Sequence, residues 1–378
     1  MEEVIFDFTR IFRDPWDTHW WLGKHYHEEH GNEWPGKEDP GPGLKNPSPK
    51  DALLVVLAMA LLLAFLKGFF EKYIASPVAS ALGIKQCRKR AYEHVPVLEN
   101  HLKSNKYNTP DEKTMQSLSS EAGMTLRQVQ VWVRRRQQAV LSTRHTKFVE
   151  SFWRFVFYGC TFTYGLSSLW NENYLWDTKY CWIGYPDKIW AMKDNIYWYY
   201  MIEMGYYTAC LVIQFTEVKR KDFNQMFLHH IATVLLISLS YVTGRTRIGA
   251  LTMLIHDFSD ISLEACKMAK YTKRIEAANV LFATFGISFF VSRIIYYPYS
   301  ILYSAIYETR TITNTGSCSL TITNSFLFVL YFLHIFWFSL IVRVVMTFAK
   351  NEQPEGDLRS EEEAPSSSEE ERKEKKVE

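Results

Sequence analysis

Residues 53–70 read LLVVLAMALLLAFLKGFF, an apolar run whose single charge is Lys67. A helix of about 20 such residues crosses the roughly 30 Å hydrocarbon layer of a bilayer. Only helices and closed barrels satisfy their backbone groups in lipid, and a continuous run without alternation is typical of a helix. Lys67 lies near the end of the run, where its side chain can reach the interface. The stretch therefore predicts a membrane-spanning helix over 51–74.

Similar segments recur along the rest of the chain. Mean hydropathy is only −0.16, because polar ends and a basic insert dilute the apolar runs, and the 16% aromatic content suits membrane interfaces. The sequence predicts an all-α, polytopic transmembrane helical bundle of about seven spans. The six further spans are expected at 151–170, 196–218, 225–243, 247–268, 276–298 and 322–349.

Basic loops predict the orientation of this bundle. With seven spans, the basic residues of 85–90, 134–136, 219–221 and 270–274 all fall on one side, which the positive-inside rule makes cytosolic. Only Arg245 and Arg247 fall opposite. The N-terminus is then lumenal and the C-terminus cytosolic.

Smaller parts flank the membrane helices. The expected division is a lumenal segment (1–50), the first span (51–74), a cytosolic module (75–148), a six-helix membrane domain (149–350) and an acidic tail (351–378). The tail lacks core-forming residues and is expected to be disordered. It is either a solubilising tail or, at Ser360, Ser367 and Ser368, a substrate of acidophilic kinases, since each serine has Glu three residues on.

Neither targeting nor metal motifs stand out. The first residues lack a basic start and an apolar core, so no cleavable signal peptide is expected. The six cysteines have no zinc-type spacing, and no metal is predicted. Cys181 and Cys318 fall in predicted lumenal loops, so a disulfide between them is one expectation.

The most informative residues occupy two neighbouring spans. His229 and His230 open one span, and the next carries His256, Asp257, Asp260, Glu264 and Lys267. The last four are spaced by three, four and three residues and so form one polar stripe on a helix. Ionisable groups at mid-membrane cost about 2.5 to 3.5 kcal/mol each. A functional pocket is therefore the first hypothesis, and a purely structural polar network is the alternative.

A histidine beside carboxylates suits two kinds of chemistry. It can remove a proton from an attacking nucleophile, with a carboxylate fixing its tautomer. It can instead carry an acyl group as an acyl-imidazole. Metal binding by His229, His230, His256 and Asp257 is chemically open, but adjacent histidines on a helix point about 100° apart, which disfavours joint chelation.

At this point the sequence resembles a known family. The double histidine followed by HDFSDISLEACKMAKY is similar to the signature of ceramide synthases, within the TLC membrane-domain family. SFWRFVFY, YWYYMIEMGYY and EVKRKDFNQMFLHH follow the same pattern in the same order, and the resemblance covers roughly residues 65–349. It implies an endoplasmic reticulum acyltransferase that joins acyl-CoA to the amine of sphinganine or sphingosine.

The resemblance also implies residue roles. The double histidine corresponds to His229 and His230, and the HD…D element to His256, Asp257 and Asp260. His229 is expected to be the base or acyl carrier, supported by His230 and Asp257. Acyl-CoA is expected as co-substrate without a further cofactor, and the segment 299–321 as a loop that influences chain choice. Substrate-binding candidates are Glu264, Glu203 and, at a cytosolic mouth for coenzyme A phosphates, Lys219, Arg220 and Lys221; Arg293 ranks lower.

Residues 109–138 resemble the C-terminal half of a homeodomain. Val129, Trp132 and Val133 lie on the apolar side of the second predicted helix, while a first helix upstream has only a weak pattern. Arg135 replaces the adenine-reading Asn, so DNA binding is not expected. A cytosolic module whose arginines contact acidic lipids or neighbouring loops is expected instead.

Other functions and assemblies stay open. A non-catalytic TLC-family lipid sensor or translocation helper is the main alternative function, followed by a membrane-tethered DNA-binding regulator. Membrane lipids are expected contacts, and both a homo-dimer and a hetero-dimer are open.

Overall fold

The structure is a computed structural model that describes residues 17–36, 40–84, 94–105, 109–186, 188–217, 222–313 and 316–349. The chain begins with two short helices, α1 (Thr18–Trp21) and α2 (Lys24–His30), and strand β1 (Leu44–Lys45). Helix α3 consists of an α-helical segment (Pro49–Phe70), a π-helical turn (Glu71–Ala75) and a second α-helical segment (Ser76–Ala81). The remaining elements are α4 (Pro96–Ser104), α5 (Glu112–Ala122), α6 (Leu126–Leu169), α7 (Asn173–Trp176), a 3-10 turn (Thr178–Cys181), β2 (Met192–Lys193), α8 (Asp194–Ile213), α9 (Phe223–Val242), α10 (Thr246–Tyr271), α11 (Ile275–Phe289, continuing to Thr313) and α12 (Cys318–Ala349).

Seven long helices correspond to the seven predicted spans. Four of them are long and apolar enough to cross a membrane by composition: Leu53–Ala81, Phe223–Val242, Ile275–Thr313 and Cys318–Thr347. The other three, α6, α8 and α10, carry charged side chains. The helical, multi-pass architecture is confirmed, and the count of seven crossings stays a prediction.

Contacts between loops and helix ends show which of them lie at the same end of the bundle. At one end, β1 pairs antiparallel with β2, and the Tyr185 hydroxyl donates to the Thr243 carbonyl at 2.7 Å. At the other end, Arg144 Nε donates to the Tyr271 carbonyl at 2.8 Å. This alternation of ends from helix to helix is the one that seven crossings require.

The two arginines opposite the basic loops have partners at the first end. Arg245 is buried and donates to Ser317 and Ser319, at 3.0 Å each. Arg247 donates to the Tyr180 carbonyl at 2.7 Å. Both guanidinium groups are therefore held by neighbouring loops and helix ends.

The expected loop at 299–321 is wrong. Helix α11 continues through π-helical segments Phe290–Leu302 and Ser304–Glu308 to Thr313, and α12 begins at Cys318. Ile301, Leu302 and Ala305 are buried in the main core, so helical packing extends over most of the segment. Pro298 lies inside the π-helical part, where the wider turn accommodates a residue without an N–H group.

The expected disulfide is also wrong. Cys181 and Cys318 are both buried with free thiols. Burial raises the pKa of the Cys181 thiol, which disfavours the thiolate that disulfide formation needs.

A small core holds together the module that was expected to be cytosolic. Leu98 and Leu102 of α4 pack with Leu118 of α5 and with Val129, Trp132 and Val133 of α6. The apolar side predicted for the second helix is confirmed, and the weak first helix is present as α4. Arg136 is not available to lipid, because it makes a bidentate pair with Glu99, whereas Arg134 and Arg135 are exposed.

Helix α6 joins this module to the membrane bundle. It runs without a break from Leu126 to Leu169, across the domain boundary expected at 148–149. Thr125 begins it with a capping box that includes Gln128. The same helix therefore contributes to the module core at one end and to the polar site described below at the other. The basic cluster of 85–90 and the acidic tail of 351–378 lie outside the described residues.

Candidate active site

A cavity of about 130 Å³ with many charged side chains in its wall opens among the long helices. It is enclosed by α3, α6, α8, α9, α10, α11 and α12. Its charged lining comprises Lys67, Arg154, Glu217, Asp260, Glu264, Lys267 and Arg293, together with His229 and His230. We call this the charged cavity.

Both histidines of α9 reach the charged cavity, as the sequence predicted. His229 and His230 are 8% and 9% exposed, and their rings lie 5.7 Å apart. His229 packs edge-on against Trp337, at 5.4 Å between ring centres, and against Tyr207 at 6.3 Å. Its Nδ1 has no hydrogen-bond partner among the described residues. His230 Nδ1 lies 3.3 Å from the Gln214 amide oxygen, to which it donates.

The residues of the polar stripe on α10 do not all face the same surroundings. Asp260, Glu264 and Lys267 line the charged cavity. Asp260 pairs with Arg293 at 2.8 Å, and Lys267 pairs with Glu264 at 2.6 Å. Arg293 also donates to the backbone carbonyl of His256 at 2.8 Å, so it ties α11 to α10 beside the histidines.

Asp257 faces helix α6 instead of the cavity. Its carboxylate is 1% exposed and accepts a hydrogen bond from the Thr161 hydroxyl at 2.9 Å. Glu203 of α8 is also fully buried, and neither of its carboxylate oxygens has a hydrogen-bond partner among the described residues. The sequence analysis expected Asp257 to support His229, but the hydrogen-bond partner of its carboxylate is Thr161.

His256 is engaged through both ring nitrogens. Its Nδ1 lies 2.6 Å from the Thr252 carbonyl, and its Nε2 lies 2.9 Å from Nε2 of His334. Because a carbonyl only accepts, Nδ1 of His256 carries the proton and its Nε2 accepts from His334. These contacts lock both rings into one tautomer.

A second, apolar cavity of about 60 Å³ adjoins the first. The two cavities share Tyr207 and His229. Leu236, Ile237, Ile248, Met253, Leu327 and Leu330 make up much of its wall. Its far end is formed by Trp182 and Arg245, at the end of the bundle where Tyr185 contacts Thr243. We call it the apolar cavity.

Three charged residues of the charged cavity, Lys67, Arg154 and Glu217, form a cluster at the end nearest the module. Lys67 contacts Glu71 at 2.5 Å and Glu217 at 3.4 Å, and Arg154 pairs with Glu217. The predicted coenzyme A contacts Lys219, Arg220 and Lys221 lie outside the described residues. Among the described residues, Lys67, Arg154 and Lys267 place cations along this part of the cavity.

The sequence analysis missed several residues of the site. Thr161, Tyr207, His334 and Trp337 lie on helices other than those with the polar stripe. Single Thr, Tyr and Trp residues in aromatic-rich spans look like ordinary core residues. Only a span-by-span search for buried titratable side chains singles out His334.

Metal binding receives no support from the described part of the chain. No group of three or more His, Cys, Asp or Glu side chains there has a geometry that could hold a metal ion.

Comparisons with known proteins show the family to which the chain belongs. The TLC domain family matches residues 147–343. The chain is 37% identical to human (Homo sapiens) ceramide synthase 4 over 94% of its own length and 87% of that protein. It is 35% identical to human ceramide synthase 5, over 94% and 88%, and 34% identical to mouse (Mus musculus) ceramide synthase 3, over 82% and 80%. The chain therefore belongs to the TLC-domain family and, within it, to the ceramide synthases.

Proposed function

We propose that this protein makes ceramide by transferring a fatty acyl group from acyl-CoA to the amino group of a sphingoid base such as sphinganine or sphingosine. Its kinship with ceramide synthases supports the reaction. The observation that carries the proposal is the position of His229, which lies where the charged cavity meets the apolar cavity. A proton-exchanging group at that junction can meet both a thioester and an amine.

The reaction needs a group that moves one proton. The ammonium of the sphingoid base first releases one proton to water, and the nitrogen of the resulting amine then attacks the thioester carbon. A C–N bond then forms, the C–S bond breaks, and the coenzyme A thiolate takes up a proton. A neutral His229 can accept the amine's proton and return it to the leaving sulfur.

A two-step route uses the same residue. In it, a His229 nitrogen attacks the thioester, coenzyme A leaves, and the amine then attacks the acyl-imidazole. Both routes need His229 neutral at the start. Burial against Trp337 and Tyr207 favours the neutral imidazole, because a charged ring loses solvation there. His256 is less suited to either route, since both of its ring nitrogens are engaged.

The cavities suggest where the substrates lie. The apolar cavity suits the acyl chain, because its wall is mainly Leu, Ile and Met. The charged cavity suits the polar ends, with Lys67, Arg154 and Lys267 near the coenzyme A phosphates. Lys219, Arg220 and Lys221, which lie outside the described residues, keep their predicted role as contacts for these phosphates. Glu264 and Asp260 orient the ammonium of the sphingoid base or neutralise the neighbouring cations Lys267 and Arg293. Glu203, buried on α8, helps to position Asp257.

Cellular setting and assembly belong to the same proposal. The enzyme lies in the endoplasmic reticulum membrane, with its N-terminus lumenal and its C-terminus cytosolic, and needs no cofactor beyond the co-substrate acyl-CoA. It forms a homo-dimer or a hetero-dimer with another TLC-domain chain.

The direct test is turnover by the purified full-length protein with sphinganine and acyl-CoAs of varied chain length. We expect ceramide and coenzyme A in equal amounts. Asp257→Ala should lower the rate without unfolding the protein, as judged by thermal unfolding in detergent. Substrate binding without any product would contradict the proposal and favour the non-catalytic lipid sensor.

A further inference from the structure

Trp337 of α12 contacts two residues at the start of α9. Its indole Nε1 donates to Asp222 Oδ2 at 3.2 Å, and its ring packs against the His229 ring, with 5.4 Å between ring centres and 86° between the ring planes. Asp222 directly precedes the first residue of α9, and His229 follows seven residues later. Seven residues make about two helical turns, so both side chains lie on one face of the helix. Trp337 therefore connects two successive positions of that face.

Asp222 is buried although it carries a carboxylate. It is 4% exposed, and burying a carboxylate costs free energy that hydrogen bonds or neighbouring charges must offset. An Asp before the first turn of a helix usually accepts from the first backbone N–H groups, but Asp222 makes no such capping hydrogen bond to α9. Its Oδ2 accepts from Trp337 instead. Helix capping therefore does not explain why this carboxylate is buried here.

The orientation of the His229 ring depends on its aromatic neighbours. In many proton-exchanging histidines, a hydrogen bond to the second ring nitrogen fixes the ring. Nδ1 of His229 has no hydrogen-bond partner among the described residues. Of the described rings that pack against it, Trp337 is the nearest at 5.4 Å, ahead of His230 at 5.7 Å and Tyr207 at 6.3 Å. Whatever orients the Trp337 ring therefore also orients His229.

The hydrogen bond to Asp222 supplies the direction that the surrounding apolar contacts lack. Trp337 belongs to a buried cluster that includes Phe285 and Phe289. Apolar contacts of this kind are non-directional, whereas a hydrogen bond from an indole N–H prefers a narrow range of angles. The Asp222 carboxylate thus selects one orientation of the indole ring.

We propose that Asp222 is a positioning residue for ceramide formation, which acts through Trp337 to hold the His229 ring where the charged cavity meets the apolar cavity. Asp222 is not among the described residues that line either cavity, so it acts without touching the substrates. The inference rests on the proposed function, because it needs His229 to perform the chemistry. A displacement of about 1 Å at a reacting group can lower the rate by about 100-fold, so a lost orienting contact should be visible in kcat.

The test measures kcat and KM of the purified full-length protein with sphinganine and a long-chain acyl-CoA. Asp222→Leu removes the acceptor at similar volume. We expect kcat to fall about tenfold while both KM values stay unchanged, because no contact with a substrate is lost. Unchanged kcat overturns the proposal. A higher KM with unchanged kcat also overturns it, since Asp222 would then bind a substrate.

The conservative variant separates the hydrogen bond from the charge. Asp222→Asn keeps an oxygen that can accept from the Trp337 N–H. It should bring kcat back to within about threefold of the wild-type value. An Asp222→Asn protein that is as slow as Asp222→Leu overturns the proposal, because the negative charge would then matter instead of the contact with Trp337.

A double variant shows whether the effect passes through Trp337. Trp337→Phe keeps an aromatic ring but lacks the N–H donor. Adding Asp222→Leu to Trp337→Phe should lower kcat no further, because residues that act in one path are not additive. Losses that multiply overturn the proposal. If Asp222→Leu does not fold, Trp337→Phe decides the matter: a kcat within about threefold of the wild-type value overturns the positioning role.

Tyr164→Phe is the matched control for the loss of one hydrogen bond between helices. The Tyr164 hydroxyl on α6 donates to the Asn195 carbonyl on α8 at 3.1 Å, and Tyr164 is not among the described residues that line the cavities. This variant should keep the wild-type kcat. A tenfold loss in it would assign the effect of Asp222→Leu to a general loosening of the bundle and would overturn the positioning role.

The two proposals fail in different ways. Ceramide formation by the wild-type protein together with an undiminished kcat in Asp222→Leu overturns only the positioning role. Absence of ceramide formation by the wild-type protein overturns the proposed function and the positioning role with it.

Discussion

Among the buried histidines, His256 and His229 differ in their hydrogen bonds. His256 donates from Nδ1 to Thr252 and accepts at Nε2 from His334, so it links α10 to α12. His229 has no partner at Nδ1 within the described chain and borders both cavities. The sequence marked both histidines, but it could not show which one keeps a nitrogen available.

Thr161 offers a sharp test at this scale. Thr161→Val removes the hydroxyl that donates to Asp257 while keeping the shape of the side chain. We expect kcat/KM for ceramide formation to fall by about tenfold, because the buried carboxylate loses a donor. Thr163→Val is the matched control, since Thr163 is exposed and bonds only to the Gly159 carbonyl of its own helix. Equal rates for the two variants would contradict a role for the Thr161–Asp257 contact.

Sequence spacing predicted part of the site and missed the rest for a physical reason. Helical periodicity placed Asp260, Glu264 and Lys267 on one face, and they do line one cavity. The same stripe included Asp257, which lies at its edge and turns toward α6. Contacts across helices, such as Thr161 with Asp257 or His334 with His256, depend on how helices pack, and spacing within one helix carries no information on that.

At the level of helices and strands, the apolar runs of the sequence predicted the position of every long helix. They did not predict every residue at which a helix ends. The segment 299–321 was expected as a loop that joins the last two spans, and it contains many Thr, Ser and Tyr residues. It is mainly helical because Ile301, Leu302 and Ala305 still find buried partners. Tertiary packing thus overrode a composition that is typical of loops.

The close approach of α8 to α10 depends on Gly249. A Cβ atom there would lie 1.9 Å from the Tyr200 hydroxyl oxygen, which bonds to the Thr246 carbonyl at 2.8 Å. Gly249→Ala should therefore displace Tyr200, lower the thermal unfolding temperature and reduce turnover by narrowing the apolar cavity. At Gly286 a Cβ would meet only Ile341, at 3.7 Å, so Gly286→Ala should be neutral or stabilising by up to about 1 kcal/mol. Similar unfolding temperatures for the two variants would contradict this packing.

The module's buried ion pair predicts a pH dependence. Burial alone would raise the pKa of Glu99, but Arg136 outweighs it and the pKa lies below its ordinary value. A lowered carboxylate pKa stabilises the folded module above the unfolded pKa of about 4.3, and this contribution is lost as pH falls through the folded value. Hydrogen exchange of the α4 amides in the full-length protein should therefore show less protection below about pH 4 than at neutral pH.

Variants separate this ion pair from general acid effects. Glu99→Gln should lower the protection of α4 at neutral pH and flatten its dependence on pH, because Arg136 loses its charged partner. Glu121→Gln, an exposed site on α5, should keep the wild-type profile. If Glu99→Gln keeps that profile as well, the pair does not stabilise the module.

For the whole molecule, the orientation predicted from the basic loops can be tested directly. Lys179 and Lys270 are exposed at opposite ends of the bundle. In sealed microsomes, Lys270→Cys should react with a membrane-impermeant maleimide from the cytosolic side. Lys179→Cys should react only after permeabilisation, and the unsubstituted protein reports labelling of the natural cysteines. Labelling of Lys179→Cys in intact microsomes would reverse the orientation.

How much of the molecule was predictable depends on the length scale of the information. Runs of about 20 apolar residues are a local property, so the helical membrane architecture followed from the sequence. The cavities arise where several helices meet, so their boundary at His229 could not be predicted. The resemblance to ceramide synthases marked the histidine and aspartate positions without fixing their partners.

The central claim is that His229 performs the chemistry where the two cavities meet. The most direct measurement is the rate of coenzyme A release by purified His229→Gln with sphinganine and a long-chain acyl-CoA, beside the wild-type protein and with thermal unfolding recorded for both. We predict a folded variant whose rate is at least about 100-fold lower. A folded variant that stays within about threefold of the wild-type rate would contradict the account.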